Sequence, residues 1–170
     1  MNVVGLDLSL TGTGVARADG TTETLKTSLR GMPRVSWLVN EIITRAVDDR
    51  ADVVVTEDCI AMRNGSVVPL AMLHGAVRLR LFHCDLPTVV LAPATLKKFA
   101  TGKGNAPKPD MRMALYKRTE IDLPDDNQDD AWWLRAAGRQ WYGAPVLFVP
   151  QAQLDALVKV EWPSLEAVGS

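Results

Sequence analysis

Three acidic residues stand at widely separated places in this chain, each in a setting suited to holding a hard cation. Asp7 lies in VVGLDLSLTGTGVA, Glu57 ends the apolar run DVVVTE, and Asp130 closes DDNQDDAWWL, with Asp125, Asp126 and Asp129 just before it. A carboxylate at the end of a buried strand is costly unless a cation or a hydrogen-bond network compensates it. Carboxylate oxygens are the donors Mg²⁺ takes. Asp126 and Asp130 are four apart at the start of an expected helix and share a face; Asn127, three before Asp130, is adjacent to it. The same acids also suit a helix N-terminus through its dipole, so capping plus surface charge is the alternative on residue types alone.

The elements that would carry these residues follow from patterning. Residues 2–8 alternate and read as a strand, Thr11 to Gly14 as a turn, and Gly14 to Ala18 as a returning strand. Asp19-Gly20 signals a hairpin into a third strand over Thr21 to Leu29. Residues 33–49 carry Val35, Leu38, Val39, Ile42, Ile43 and Ala46 at helical spacing, with Pro33 suited to a first turn. Val53 to Val55 reads as a buried strand parallel to the first, because a helical crossover precedes it. Helices are expected over 67–84, 108–118 and 126–141, and a short strand over Pro87 to Leu91. Residues 143–170 read as a strand or loop plus a tail. The order is mixed α/β, a central mixed sheet with three antiparallel N-terminal strands and flanking helices. Gly12 and Gly14 permit a tight turn after Asp7 and close approach of a ligand to the backbone.

Composition bounds the answer. With 170 residues and 47% hydrophobic content the chain makes one domain with a core, here divided as 1–145 and a C-terminal extension over 146–170. No apolar run approaches the roughly 20 residues a bilayer span needs, and no secretory signal is visible, so a cytoplasmic protein is expected. Cys59 and Cys84 lack metal-ligand spacing and read as reduced thiols. The net charge of −1 is unevenly spread: acids gather at 120–130, while Lys97, Lys98, Lys103, Lys108, Arg112, Lys117 and Arg118 make a locally basic stretch. A solvated helix face is the plain reading of such a run.

Four segments together resemble the RuvC Holliday-junction resolvases, a branch of the RNase H-like nuclease superfamily. GLDLSLTGTGVA is similar to the family's first strand and its Thr-Gly return, and VVVTED to its second acidic motif. TGKGNAPKPDMRMAL resembles its glycine-rich, lysine-bearing segment through Gly102, Gly104, Ala106, Lys108 and Met111. DDNQDDAWWLRAAG resembles its terminal acidic helix, and the four run in order over residues 2–138.

The resemblance implies an RNase H-like fold and metal-dependent cleavage of branched DNA by a homodimer. By similarity Asp7, Glu57 and Asp130 would hold two Mg²⁺ ions, with Mn²⁺ able to substitute. Lys108 would lie near the scissile phosphate, and Lys97, Lys98, Lys103 and Arg112 would serve DNA binding. Where the family often has a carboxylate three before the last aspartate, this chain has Asn127, so the fourth ligand is Asp126, Asn127 or, less well oriented, Asp129. Ile60 stands where bacterial members often carry an aromatic residue. A broader flap- or fork-cutting nuclease, as a phage-encoded member would be, and a non-catalytic branched-DNA-binding protein are the alternatives. A sugar-kinase or actin-like ATPase shares the strand aspartate and glycine turn but needs two such domains.

His74 and His83 read as structural, and Trp133 and Trp141 as core residues. The apolar, small-residue helix over 67–84 corresponds to the family's dimer helix, with core packing as the plain reading.

Overall fold

The computed structural model describes residues 1–59 and 67–165. Three strands open the chain: β1 Val3–Asp7, β2 Thr13–Ala16 and β3 Thr22–Leu25. Helix α1 spans Gly31–Asp48, strand β4 Val53–Glu57, helix α2 Val67–His83 and strand β5 Thr88–Leu91. Four helices finish it: α3 Pro93–Thr101, α4 Lys108–Thr119, α5 Asp126–Trp141 and the single turn α6 Gln151–Leu154. Two strands in particular are shorter than expected. β3 ends at Leu25, because the polar run after it has no strand to pair with, and β5 loses Pro87, which has no N–H to donate.

One element was absent from the sequence reading. Residues 93–101 form α3, with Pro93 at its start, Leu96, Phe99 and Ala100 buried, and Gly102 in the left-handed conformation closing it. Leu96, Phe99 and Ala100 have helical spacing, and the Pro-start, Gly-stop pair was a legible signal. Lys97 and Lys98 within it mark the segment as basic and mask that spacing.

The strands form one mixed sheet in the order β3-β2-β1-β4-β5. β1 pairs antiparallel with β2 and parallel with β4, with Val3 opposite Val53. β2 pairs antiparallel with β3, and β4 parallel with β5, so the expected N-terminal antiparallel trio and parallel crossover are both present. This register brings the ends of β1 and β4, and hence Asp7 and Glu57, to one edge of the fold.

Each sheet face carries its own core. On one side Val4, Leu6, Val15 and Val54 pack against Leu38, Ile42 and Ile43 of α1 and Leu73, Val77 and Leu81 of α2. On the other Val3, Val53, Val55 and Leu91 pack against Phe99, Met111, Leu115, Trp132 and Trp133 of α3, α4 and α5. The indole N–H of Trp133 donates to the Met111 carbonyl at 3.3 Å.

Helix α5 lies unusually close to the sheet, and glycines make that possible. A Cβ on Gly5 would overlap the Ala131 carbonyl oxygen, and one on Gly14 the Asn127 carbonyl oxygen. A Cβ on Gly138 would meet methyls of Val3 and Val55 at 2.8 Å. Gly14 thus serves helix–sheet contact, a different role from the ligand approach expected of it.

Residues 146–165 contain no strand and fold back onto the α3–α5 side, burying Val149 and Leu157. Trp141, expected in the core, is 41% exposed. It is the last residue of α5, beyond the sheet, and stacks on Trp162 of this extension with ring centroids 5.1 Å apart. Both cysteines are free thiols. Among the described residues no helix is long and apolar enough to cross a membrane.

Candidate active site

The acids near the start of α5 have four different fates. Asp125 caps the helix: its carboxylate accepts from the Gln128 N–H at 3.1 Å and from the Thr24 hydroxyl at 2.7 Å. Asp126 is exposed and faces Lys108. Asp129 is buried, 2% exposed, with both carboxylate oxygens unpartnered among the described residues. Asp130 points inward, toward the ends of β1 and β4, as its charge acting on both Asp7 and Glu57 shows.

The anchoring of α5 sets this arrangement. Thr22 donates to the Gln128 side-chain oxygen at 2.7 Å, and the Gln128 amide donates to the Thr24 hydroxyl at 3.1 Å. With the Asp125 contact, the threonines of β3 hold the helix start while Gly14 and Gly5 admit its backbone. No local motif announced these threonine contacts, since they join residues about 100 positions apart.

Asp7, Glu57 and Asp130 form one electrostatic unit. Burial, then the charges of Asp130 and Glu57, push the Asp7 carboxyl up to about 7. Burial and Asp130 push Glu57 to about 7, opposed by Lys97 and Lys108. Burial also raises Asp130, with Lys108 opposing it. Burial alone would lower the Lys108 ammonium, yet Asp130, Asp7 and Asp126 raise it above its ordinary value. Its Nζ stands 3.6 Å from Asp130 and 3.8 Å from Asp126.

Among the described residues no three His, Cys, Asp or Glu groups are gathered closely enough to share one ion as they stand. The donor chemistry nevertheless fits a hard divalent cation. Hydrogen bonds are absent from the leading influences on Asp7 and Glu57; burial and mutual repulsion act instead, which is the condition a cation relieves. Asp126 and Asp130 share the cation Lys108, whereas the Asn127 amide lies against Gly12 at the β1–β2 turn.

The basic residues divide in the same way. Lys97 is half-buried and its charge reaches both Glu57 and Asp130. Lys98 and Lys103 are exposed. Arg112 spends its guanidinium on Asp122 at 2.6 Å. Ile60 lies outside the described residues.

Beside the carboxylates is a small cavity of about 140 Å³ lined by Asp7, Glu57, Asp58, Cys59 and His74. His74 is buried on α2, and burial lowers its imidazole below the ordinary value. Nothing in the sequence around it marked this proximity, because α2 reaches the site only through tertiary packing.

The chain matches no protein-family model. It is 34% identical over 101 residues to the crossover junction endodeoxyribonuclease RuvC of Chlamydia trachomatis serovar L2, the match covering 58% of this chain. The Chlamydia muridarum protein of the same name is 35% identical over 101 residues. The chain spans 59% of the length of the curated relatives it matches. Among solved structures, Thermus thermophilus RuvC aligns over 87% of this chain and 100% of its own, with a TM-score of 0.68 at 20% identity. RuvC from the same organism in complex with Holliday junction substrate gives 0.70 at 21% identity, over 87% of this chain and 99% of that one. The yeast mitochondrial Holliday junction resolvase gives 0.53 at 13% identity, over 92% and 80%. The mixed five-stranded sheet with its flanking helices is thus the RNase H-like fold of the RuvC structures, and the resemblance carried by the four sequence motifs is borne out.

Proposed function

We propose that this chain is a Mg²⁺-dependent endodeoxyribonuclease that resolves four-way junctions and related branched DNA in a bacterial or phage-infected cytoplasm. The observation that carries the reading is the convergence of Asp7, Glu57 and Asp130 into one partly buried, mutually repelling set, with Lys108 set against it, on a RuvC-like fold. The similarity to curated RuvC proteins over 58% of the chain supports the same substrate class.

Each residue has a stated part in this reading. Asp7, Glu57 and Asp130 supply carboxylate oxygens to the cation site, with Asp126 on the face of Asp130 and Asn127 as the competing fourth donor. Two Mg²⁺ ions, or Mn²⁺ in their place, supply an activated water and charge stabilisation around the phosphate when bound. In their absence Asp7 and Glu57 are partly protonated near neutral pH, and cation binding releases those protons. Lys108 holds the acidic pair on α5 and meets the scissile phosphate. Lys97, Lys98, Lys103 and Arg112 contact the DNA backbone, giving affinity that falls with salt.

A homodimer through α2 belongs to the proposal. Val68, Met72, Leu79 and Phe82 are exposed, and with Gly75 they follow one another at spacings of four and three along the helix. Among the described residues nothing lies within 4 Å of a Cβ built on Gly75, so a second helix can approach there. Such an apolar stripe is suited to a symmetric helix pair.

A broader flap- and fork-cutting nuclease is the second reading, favoured by the net charge of −1. The test is a Mg²⁺ cleavage assay on end-labelled four-way junction, flap, fork and linear duplex, with Asp7→Asn alongside. Preferential junction cleavage that Asp7→Asn abolishes while DNA binding persists upholds the first reading. Equal cleavage of flap and fork moves the second forward. Binding without cleavage under Mg²⁺ and Mn²⁺ leaves a non-catalytic DNA-binding protein.

A further inference from the structure

The far side of α4 carries a second cationic site, away from the carboxylates. At about 100° per residue, Lys117 lies roughly 180° around α4 from Lys108 and about 14 Å further along its axis. There a cavity of about 300 Å³ is lined by Lys103, Lys117 and Arg118, with Asp110 and the Thr101 hydroxyl as the other polar groups. Met113 and Ala114 complete its wall. Three cations against one carboxylate leave this cavity with two net positive charges.

Its architecture is built rather than incidental. The Thr101 hydroxyl donates to the Lys97 carbonyl at 2.8 Å and accepts from the Lys103 N–H at 3.1 Å. Gly102 takes the left-handed conformation that turns the chain between them, so Lys103 is set beside α4 by backbone geometry. Arg118 is fixed from beneath. Its Nη2 donates to the Gln153 side-chain oxygen at 2.9 Å, and its guanidinium carbon lies 5.7 Å from the Trp133 ring centroid.

Arg118 is also in no ion pair among the described residues. Its Nη1 is buried and has no partner among the described residues. Among the described residues no carboxylate is bonded to it, and burial is what lowers its guanidinium below the ordinary value. A cation in that condition is stabilised by an anion with several acceptor oxygens, and two ammonium groups beside a guanidinium favour phosphate.

The geometry points to this cavity between the end of α3 and the outer flank of α4 as a phosphate-binding subsite, filled by a backbone phosphodiester of bound DNA some nucleotides away from the cleaved bond. For its DNA source the inference rests on the nuclease reading above.

The test is carried out on the full chain with Asp7→Asn as background. Binding of a labelled four-way junction is titrated by anisotropy at several salt concentrations. Lys117→Gln and Lys117→Ala, at an exposed cavity position outside the lysines assigned to the DNA backbone above, are compared with Lys159→Gln, an exposed lysine outside the cavity. The expected result is an affinity about tenfold weaker at low salt for each cavity variant. The slope of log affinity against log salt becomes shallower by about one relative to the control. In parallel, inorganic phosphate is expected to raise the Tm of the background protein but not that of Lys117→Gln. Junction binding with cavity variants indistinguishable from Lys159→Gln overturns the inference and leaves the nuclease reading standing. If the background protein binds no DNA, that reading has failed, and the phosphate arm decides: a Lys117-dependent Tm rise upholds the subsite with free phosphate as its source, and no rise overturns it.

Discussion

The two faces of the sheet are packed by opposite means. The face under α1 and α2 is aliphatic: every buried residue of α1 is apolar, and on α2 His74 is the buried exception among the described residues. The face under α3, α4 and α5 is aromatic, admits helix backbone against strand backbone through Gly5 and Gly14, and holds all the unpartnered buried side-chain atoms of the described residues. Those atoms belong to Arg118, Asp129 and Arg135. Buried polar groups without partners cost free energy, as do repelled carboxylates. Both faces bury a full core, but the groups held in states that water would relieve lie on the α3–α5 face alone among the described residues.

Asp7→Asn is the strongest way to break this contrast. Junction cleavage is expected to fall on the order of 10³-fold, as loss of one preorganised electrostatic group does. Tm without added metal is expected to hold or rise, because a buried, repelled charge is gone. Single-turnover cleavage and a thermal melt read both quantities, and a lower Tm with cleavage intact would assign the carboxylate to the scaffold. Leu38→Ala probes the opposite face: it should cost about 2–5 kcal/mol of stability, read by urea denaturation, with activity per folded molecule unchanged.

Gly14→Ala tests whether the two roles meet. Its Cβ overlaps the Asn127 carbonyl, so α5 must retreat from β2, at a cost of about 1–3 kcal/mol. Since the helix carries Asp130, cleavage should fall by more than the loss of folded protein explains. A proportional loss would mean that the close approach serves only packing.

Titration sharpens the comparison further. Asp7 and Glu57 are raised to about 7 and Asp129 to about 6, so between about pH 4 and pH 7 the folded chain holds protons that the unfolded chain has released. Stability contributed by these groups is present below pH 4 and lost as pH rises to about 7. In chelator, melts across that range should show a falling contribution that is shallower in Asp7→Asn and reduced by saturating Mg²⁺. The smallest effect on folding is expected from Leu79→Glu, which is exposed and should change stability by less than about 0.5 kcal/mol. Sedimentation should nonetheless show it shifted from dimer to monomer.

What the sequence made legible follows the same division. The α1 stripe was readable to within two residues at either end, because an amphipathic helix over a sheet is a local pattern. β1, β4 and α5 were equally plain, as were the three acids they carry. What stayed hidden depends on contacts between distant segments. The Thr22 and Thr24 anchors of α5, the approach of His74 to the carboxylate cavity and the use of Gly14 as a packing gap have no local signature. Helix α3 was missed for another reason: its apolar positions were legible, but its lysines were read as charge alone. Trp141 was placed in the core on residue type, although its partner Trp162 lies in the extension and leaves it 41% exposed.

The seating of α5 on β1 and β2 has a consequence in time. Asp7 and Asp130 are separated by more than 120 positions, and the helix that unites them is held by residues from both ends of that interval. During synthesis the first three strands and α1 are exposed long before α5 emerges. Contacts of such sequence separation are closed late, because the chain between them must first be ordered. The carboxylate cluster is consequently one of the last features to assemble, and a partly made chain presents Lys97, Lys98, Lys103 and Lys108 before Asp130 has joined Asp7 and Glu57.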